Sequence, residues 1–146
     1  MSTILPKNQI QVIETLNNWR EAVKLASEPL LKQKLITQDY IQAMIDSVEE
    51  YGPYMVIADY FALLHARPGE GVNQQSMSLL VVKEPIDMKA KPVKIFLVLA
   101  AKDNQSHLDS LQSIMDVFMD TQKYETILEG NKDKITRLFN EGGEKK

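Results

Sequence analysis

The chain has 146 residues, with 20 acidic and 17 basic side chains for a net charge of −3, 44% hydrophobic and 25% charged. That is the length of one domain and the composition of an ordinary globular one. There is no cysteine, which excludes a disulfide scaffold, a thiolate metal site and a cysteine nucleophile; the acidic balance argues against a nucleic-acid binder.

No apolar run reaches the length of about 18 residues that a membrane-spanning helix needs. The segment from Met1 to Leu16 lacks the pattern of a signal peptide. The expectation is a cytoplasmic single domain over residues 1–146, with Glu141 to Lys146 as a frayed tail. Gln9 to Thr15 reads either as a short strand or as the lead-in to a helix. Trp19, Ala22, Val23, Ala26 and Leu30 recur at helical spacing, with Trp19 as a core anchor, and Pro29 is expected to kink or break this helix. Thr37 reads as the N-cap of a second helix carrying Tyr40, Ile41, Met44, Ile45 and Val48, ended by Gly52-Pro53.

Short apolar runs follow at Met55 to Ala58 and Phe61 to Leu64. Ser76 to Val82 reads as a strand stopped by Lys83-Glu84-Pro85. Val93 to Ala101 is a near-continuous run rich in branched residues, the mark of a strand covered on both faces. Ser106, three residues before Asp109, resembles a capping box opening a helix with Leu108, Leu111, Ile114, Met115 and Phe118. Two short helices close the chain, around Tyr124–Leu128 and Ile135–Phe139. Met44, Met55, Met77, Met88, Met115 and Met119 read as core fillers. Helices, then strands, then helices predict one sheet between two helical layers. Some strand links are too short for a helical crossover, so the sheet is expected to be mixed.

The two histidines are the most informative residues. His65 stands where a buried strand hands over to the loop Ala66-Arg67-Pro68-Gly69-Glu70-Gly71, the kind of position where sheet proteins build sites. His107 stands in the first turn of a helix after the most buried strand, where free N–H groups suit a phosphate. Arg67, two residues after His65, projects to the same side of an extended chain and could hold phosphate oxygens, although a solvated loop arginine is the simpler reading. Zinc is disfavoured, because no further ligands stand at metal-like spacing. Gly69 and Gly71 form no nucleotide motif.

Gly52-Pro53-Tyr54-Met55-Val56-Ile57-Ala58, then Ala62-Leu63-Leu64-His65-Ala66-Arg67-Pro68 and Gly71-Val72, resembles the active-site segment of enzyme IIA domains of the bacterial phosphoenolpyruvate-dependent sugar phosphotransferase system, mannitol/fructose class. The His-Ala-Arg-Pro form is most similar to the L-ascorbate branch. Leu99 to Asp103 with Ser106-His107-Leu108 resembles that family's second motif. The likeness runs from about Leu16 to Phe139. It implies a three-layer α/β/α sandwich with a central mixed sheet, the mannitol-class enzyme IIA fold. It implies that His65 accepts a phosphoryl group from the carrier protein HPr and passes it to a IIB component, which in the ascorbate branch accepts it on a cysteine. His107 would be the second active-site histidine, and Arg67 and Ser106 the phosphate-stabilising groups. No metal or organic cofactor is implied, no nucleic-acid partner and no insertion into a membrane; oligomeric state stays open, with a homodimer among the options.

Two stretches depart from the family. Leu64 stands where proline usually precedes the active histidine. Asp59-Tyr60 stands where the ascorbate branch tends to carry a small Pro-Gly-like step, which would bring a carboxylate near the site. The alternative reading is a regulatory module of the same fold that senses phosphorylation without a transport role; a non-catalytic α/β binding protein is the third.

Overall fold

The computed structural model describes residues 5–67, 69 and 71–140. The tail from Glu141 and the loop residues Pro68 and Glu70 lie outside them. A 3-10 turn, Lys7–Gln9, leads into strand β1, Ile10–Ile13, which settles the ambiguous first segment as a strand. Helices α1 (Trp19–Lys32) and α2 (Gln38–Tyr51) follow, then strands β2 (Val56–Ala58), β3 (Tyr60–Leu64), β4 (Ser76–Met88) and β5 (Lys91–Ala100). Helices α3 (Asn104–Phe118), α4 (Thr121–Glu129) and α5 (Lys132–Asn140) close the chain.

The strands form one sheet in the order β1-β4-β5-β3-β2. It is mixed: β1 runs parallel to β4 and β3 to β5, while β4–β5 and β2–β3 are antiparallel. Alternation along the strands splits the apolar residues between two cores. Ala62, Leu64, Leu80, Phe96 and Val98 pack with α1 and α2. Phe61, Leu63, Leu79, Ile95 and Leu97 pack with α3, α4 and α5. The central strand β5 is thus buried on both faces, and the result is the expected three-layer α/β/α sandwich.

Four local expectations need correction. Helix α1 runs through Pro29 rather than ending there. Proline lacks the N–H that would bond the carbonyl four residues earlier. That carbonyl belongs to Leu25, and the Gln11 side-chain amide donates to it at 2.7 Å. A residue of β1 thereby removes the cost of leaving the acceptor unpaired. Gln11→Ala is therefore expected to lower stability by about 1 kcal/mol with an unchanged denaturant slope. An unaltered urea midpoint would mean that Leu25 needs no protein donor.

Strand β4 does not stop at Lys83-Glu84-Pro85 but continues to Met88. Its register with β5 breaks between Val81 and Ile86, so Pro85 sits in the irregular stretch, where no ladder N–H is required of it. Helix α3 begins at Asn104, three residues earlier than the capping box suggested, which places Ser106 within the first turn. Met44, Met55, Met77 and Met88 are buried as expected, as is Trp19, but Met119 follows the end of α3 and is exposed.

Candidate functional site

His65 is the residue immediately after β3, and the loop before α3 leaves the neighbouring, parallel strand β5. Parallel neighbours end on the same edge of the sheet, so both loops open there. Phe61 and Leu63 face the α3–α5 layer. His65 continues that alternation toward α3. His107 is the fourth residue of α3, its N–H bonded to the Asp103 carbonyl at 3.0 Å. The two imidazoles meet with centroids 5.7 Å apart and planes tilted by 52°. Both rings are half-buried.

His65 Nδ1 lies 2.9 Å from the Leu63 carbonyl oxygen. A carbonyl can only accept, so in the neutral ring Nδ1 carries the proton and Nε2 keeps the lone pair. Burial lowers the pKa of His107 below the usual 6.5, and the neighbouring His65 adds to the effect. Folding thus favours neutral His107. The stability this contributes is complete above pH 6.5 and is lost as pH falls through the lowered value. In a proton NMR titration, His107 is expected to show a midpoint below 6.5 that moves part of the way back in His65→Ala, since burial, the larger cause, remains. A wild-type midpoint at or above 6.5 would contradict this burial.

Exposed apolar groups lie beside the pair. Tyr54 packs edge-on against His65 at 6.1 Å, and Tyr51 edge-on against Tyr54 at 6.3 Å. Tyr51, Tyr54 and Leu108, which follows His107, are 68%, 48% and 53% exposed. Large apolar groups grouped on a surface mark a contact face. The loop after His65 is tied down at both ends. Gly69 N–H donates to the Ala101 carbonyl at 2.9 Å, and Thr37 N–H donates to the Gly71 carbonyl at 2.9 Å. Gly71 has φ +81°, and a Cβ there would meet Thr37 Oγ1 and Tyr40 Cβ at 3.0 Å, so only glycine fits.

Arg67 is exposed and forms no ion pair with a described residue. The Ser106 side chain lies outside the described residues. Asp59 is not near the histidines: it precedes β3 at the opposite end of that strand, roughly 20 Å from His65 by strand rise. There it lines an open groove of about 460 Å³ with Tyr60, Lys91 and Pro92. Its carbonyl accepts from the Tyr124 hydroxyl. Burial, and secondarily the Asp59 charge, push the Tyr124 pKa up to about 12. The rise of β3 accounts for the misplacement: the Asp59-to-His65 segment is extended, so closeness in sequence is distance in space.

The sequence reading placed Tyr40 only on an apolar helix stripe. Its hydroxyl also reaches the histidine segments, donating to the Leu99 carbonyl at 2.9 Å and accepting from Ala66 N–H at 3.1 Å. Those partners are 59 and 26 residues away, and no local pattern encodes such contacts.

The fold and the facing histidines define an α/β/α domain with a paired-imidazole site at one sheet edge. The sequence profile of the phosphoenolpyruvate-dependent sugar phosphotransferase system EIIA type 2 family matches residues 3–142, and the chain belongs to that family. It is 33% identical over 129 residues to the ascorbate-specific PTS system EIIA component of Salmonella typhimurium, covering 86% of this chain and 84% of that one. The solution structure of the mannitol-specific cryptic phosphotransferase enzyme IIA from Escherichia coli superposes with a TM-score of 0.87 at 28% identity, over 93% of this chain and 95% of that one. The fold is also that of the E. coli mannitol enzyme IIA solved in complex with phosphorylated mannitol enzyme IIB, with a TM-score of 0.66 at 17% identity over 91% and 86% of the two chains. Members of this family act as phosphotransferase components of sugar uptake systems. No helix among the described residues is long and apolar enough to cross a membrane.

Proposed function

We propose that this chain is a cytoplasmic phosphocarrier that takes a phosphoryl group from phospho-HPr on His65 and passes it to a IIB component, in an uptake system for L-ascorbate or a related sugar. The observation that carries the reading is the pairing of His65 with His107 at 5.7 Å, in a chain of this family. The Nδ1 bond to Leu63 favours Nε2 as the nucleophile. Its lone pair attacks the phosphorus of the donor phosphohistidine. A new N–P bond forms as the donor's N–P bond breaks, and the electron pair leaves with the donor imidazole. The next transfer repeats the exchange with His65 as leaving group.

Such a transfer needs in-line positioning and charge stabilisation rather than elaborate chemistry. Neutral His107 can donate one N–H to the phosphoryl oxygens. Arg67, exposed and without an ion pair among the described residues, can serve as a bidentate partner, and Ser106 lies on the same helix turn as His107. The exposed Tyr51, Tyr54 and Leu108 fit a protein partner better than a small molecule, because aromatic groups dominate protein interfaces. The ascorbate-specific relative favours that sugar class. The E. coli mannitol complex favours a IIB acceptor.

Intact mass after incubation with phosphoenolpyruvate, enzyme I and HPr tests the reading. The expected result is a gain of one phosphoryl group, lost again on adding the cognate IIB component. No gain, with HPr itself charged, would overturn it and place the chain among binding or regulatory modules of this fold.

A further inference from the structure

Tyr40 belongs to neither histidine segment. It sits on α2, fully buried. The β3–β5 ladder ends at the Leu64–Val98 pair, so Ala66, directly after His65, lies beyond it. Its buried N–H would cost free energy if left unpaired. The Tyr40 hydroxyl accepts that N–H and donates to the carbonyl of Leu99, in the strand that leads to His107. Both hydrogen-bonding capacities of one oxygen are used, each on the backbone of a different histidine segment. The ring is rigid and packed, so the oxygen cannot drift. Burial raises the tyrosine pKa, opposed in part by the Ala66 bond, so the hydroxyl keeps its proton at neutral pH.

We infer that Tyr40 is a positioning residue for phosphoryl transfer, its hydroxyl clamping the backbone after His65 to the end of β5 and so setting how His65 faces His107. The inference rests on the proposed role of His65. Tyr40→Phe removes one oxygen and keeps the ring. Transfer from saturating phospho-HPr is expected to slow about tenfold, while KM for phospho-HPr stays within about twofold because the exposed apolar groups are untouched. Ile41→Val, a buried neighbour on the same helix, supplies a control for simple loosening of α2. At a comparable fall in Tm it is expected to transfer at the wild-type rate. Wild-type transfer by Tyr40→Phe, or an equal loss in Ile41→Val, would overturn the inference.

Two readouts do not depend on transfer. The Ala66 amide of the unaltered protein should exchange slowly, although it lies outside the sheet ladder; fast exchange overturns the inference even if Tyr40→Phe does not fold. The ring nitrogen signals of His65 and His107 should shift in Tyr40→Phe and not in Ile41→Val; identical spectra overturn it. If the wild type gains no phosphoryl group, the proposed function fails, and the clamp is judged on these two readouts alone.

Discussion

His65→Ala is expected to abolish the gain of one phosphoryl group from phosphoenolpyruvate, enzyme I and HPr while leaving the fold intact. The physical ground is the nucleophile itself. Histidine presents a neutral nitrogen lone pair near pH 7, and here the Leu63 carbonyl selects Nε2 as the nitrogen that keeps it. Alanine offers no substitute. His65 is half-buried and its ring bonds to a backbone carbonyl two residues away, so its loss costs the core little. An unchanged amide spectrum should accompany the lost activity. His107→Ala separates the two imidazoles: charging persists but slows about 100-fold, the usual cost of one donor aimed at developing charge. A wild-type mass gain in His65→Ala would sink the nucleophile assignment. A wild-type rate in His107→Ala would sink the role of the second ring.

The largest stability effect is expected at Phe61. It lies on β3, the strand that ends just before His65, and is buried. Its ring stacks on Phe118 of α3 at 4.2 Å with planes 9° apart, and meets Tyr124 of α4 edge-on at 6.4 Å. One side chain thus joins the sheet to two helices of the outer layer. Phe61→Ala removes the ring's transfer free energy and opens a cavity that a sheet backbone cannot collapse to fill. The expected loss is about 3–5 kcal/mol in urea unfolding. A domain of this size has only about 5–15 kcal/mol in total. A loss below about 1 kcal/mol would mean that the α3–α4 layer repacks around the gap. Because Phe61 holds α3 against β3, the variant should also perturb the His65–His107 pairing, seen as shifted ring signals in the fraction that remains folded.

Much of this architecture was legible in the sequence because its determinants are local. Periodicities of 3.6 and 2 exposed the helices and strands. The Val93–Ala101 run announced a strand buried on both faces, and β5 is the central strand of the sheet. The histidine motifs suggested the family, which the matching profile bears out. The strand-to-loop handover at His65 and the first helical turn carrying His107 were both visible in the sequence.

What the sequence could not reveal depends on groups far apart in the chain. Pro29 looks like a helix breaker until Gln11, in another element, supplies the donor its ring removes. Asp59 looks like a neighbour of the site until β3 extends and carries it to the far end of the strand. The extended β4, with Pro85 in its irregular stretch, depends on where β5 pairs it. Tyr40 reads as one more apolar position until α2 docks and its oxygen lands between Ala66 and Leu99. The sequence by itself therefore determined most element types, the three layers and the chemistry each histidine can offer, since residue type and spacing set these. Tertiary structure alone decided that the two rings meet at 5.7 Å and which backbone groups hold them there. Distance and hydrogen-bond direction are properties of packed elements, and 42 residues of chain separate the rings in sequence.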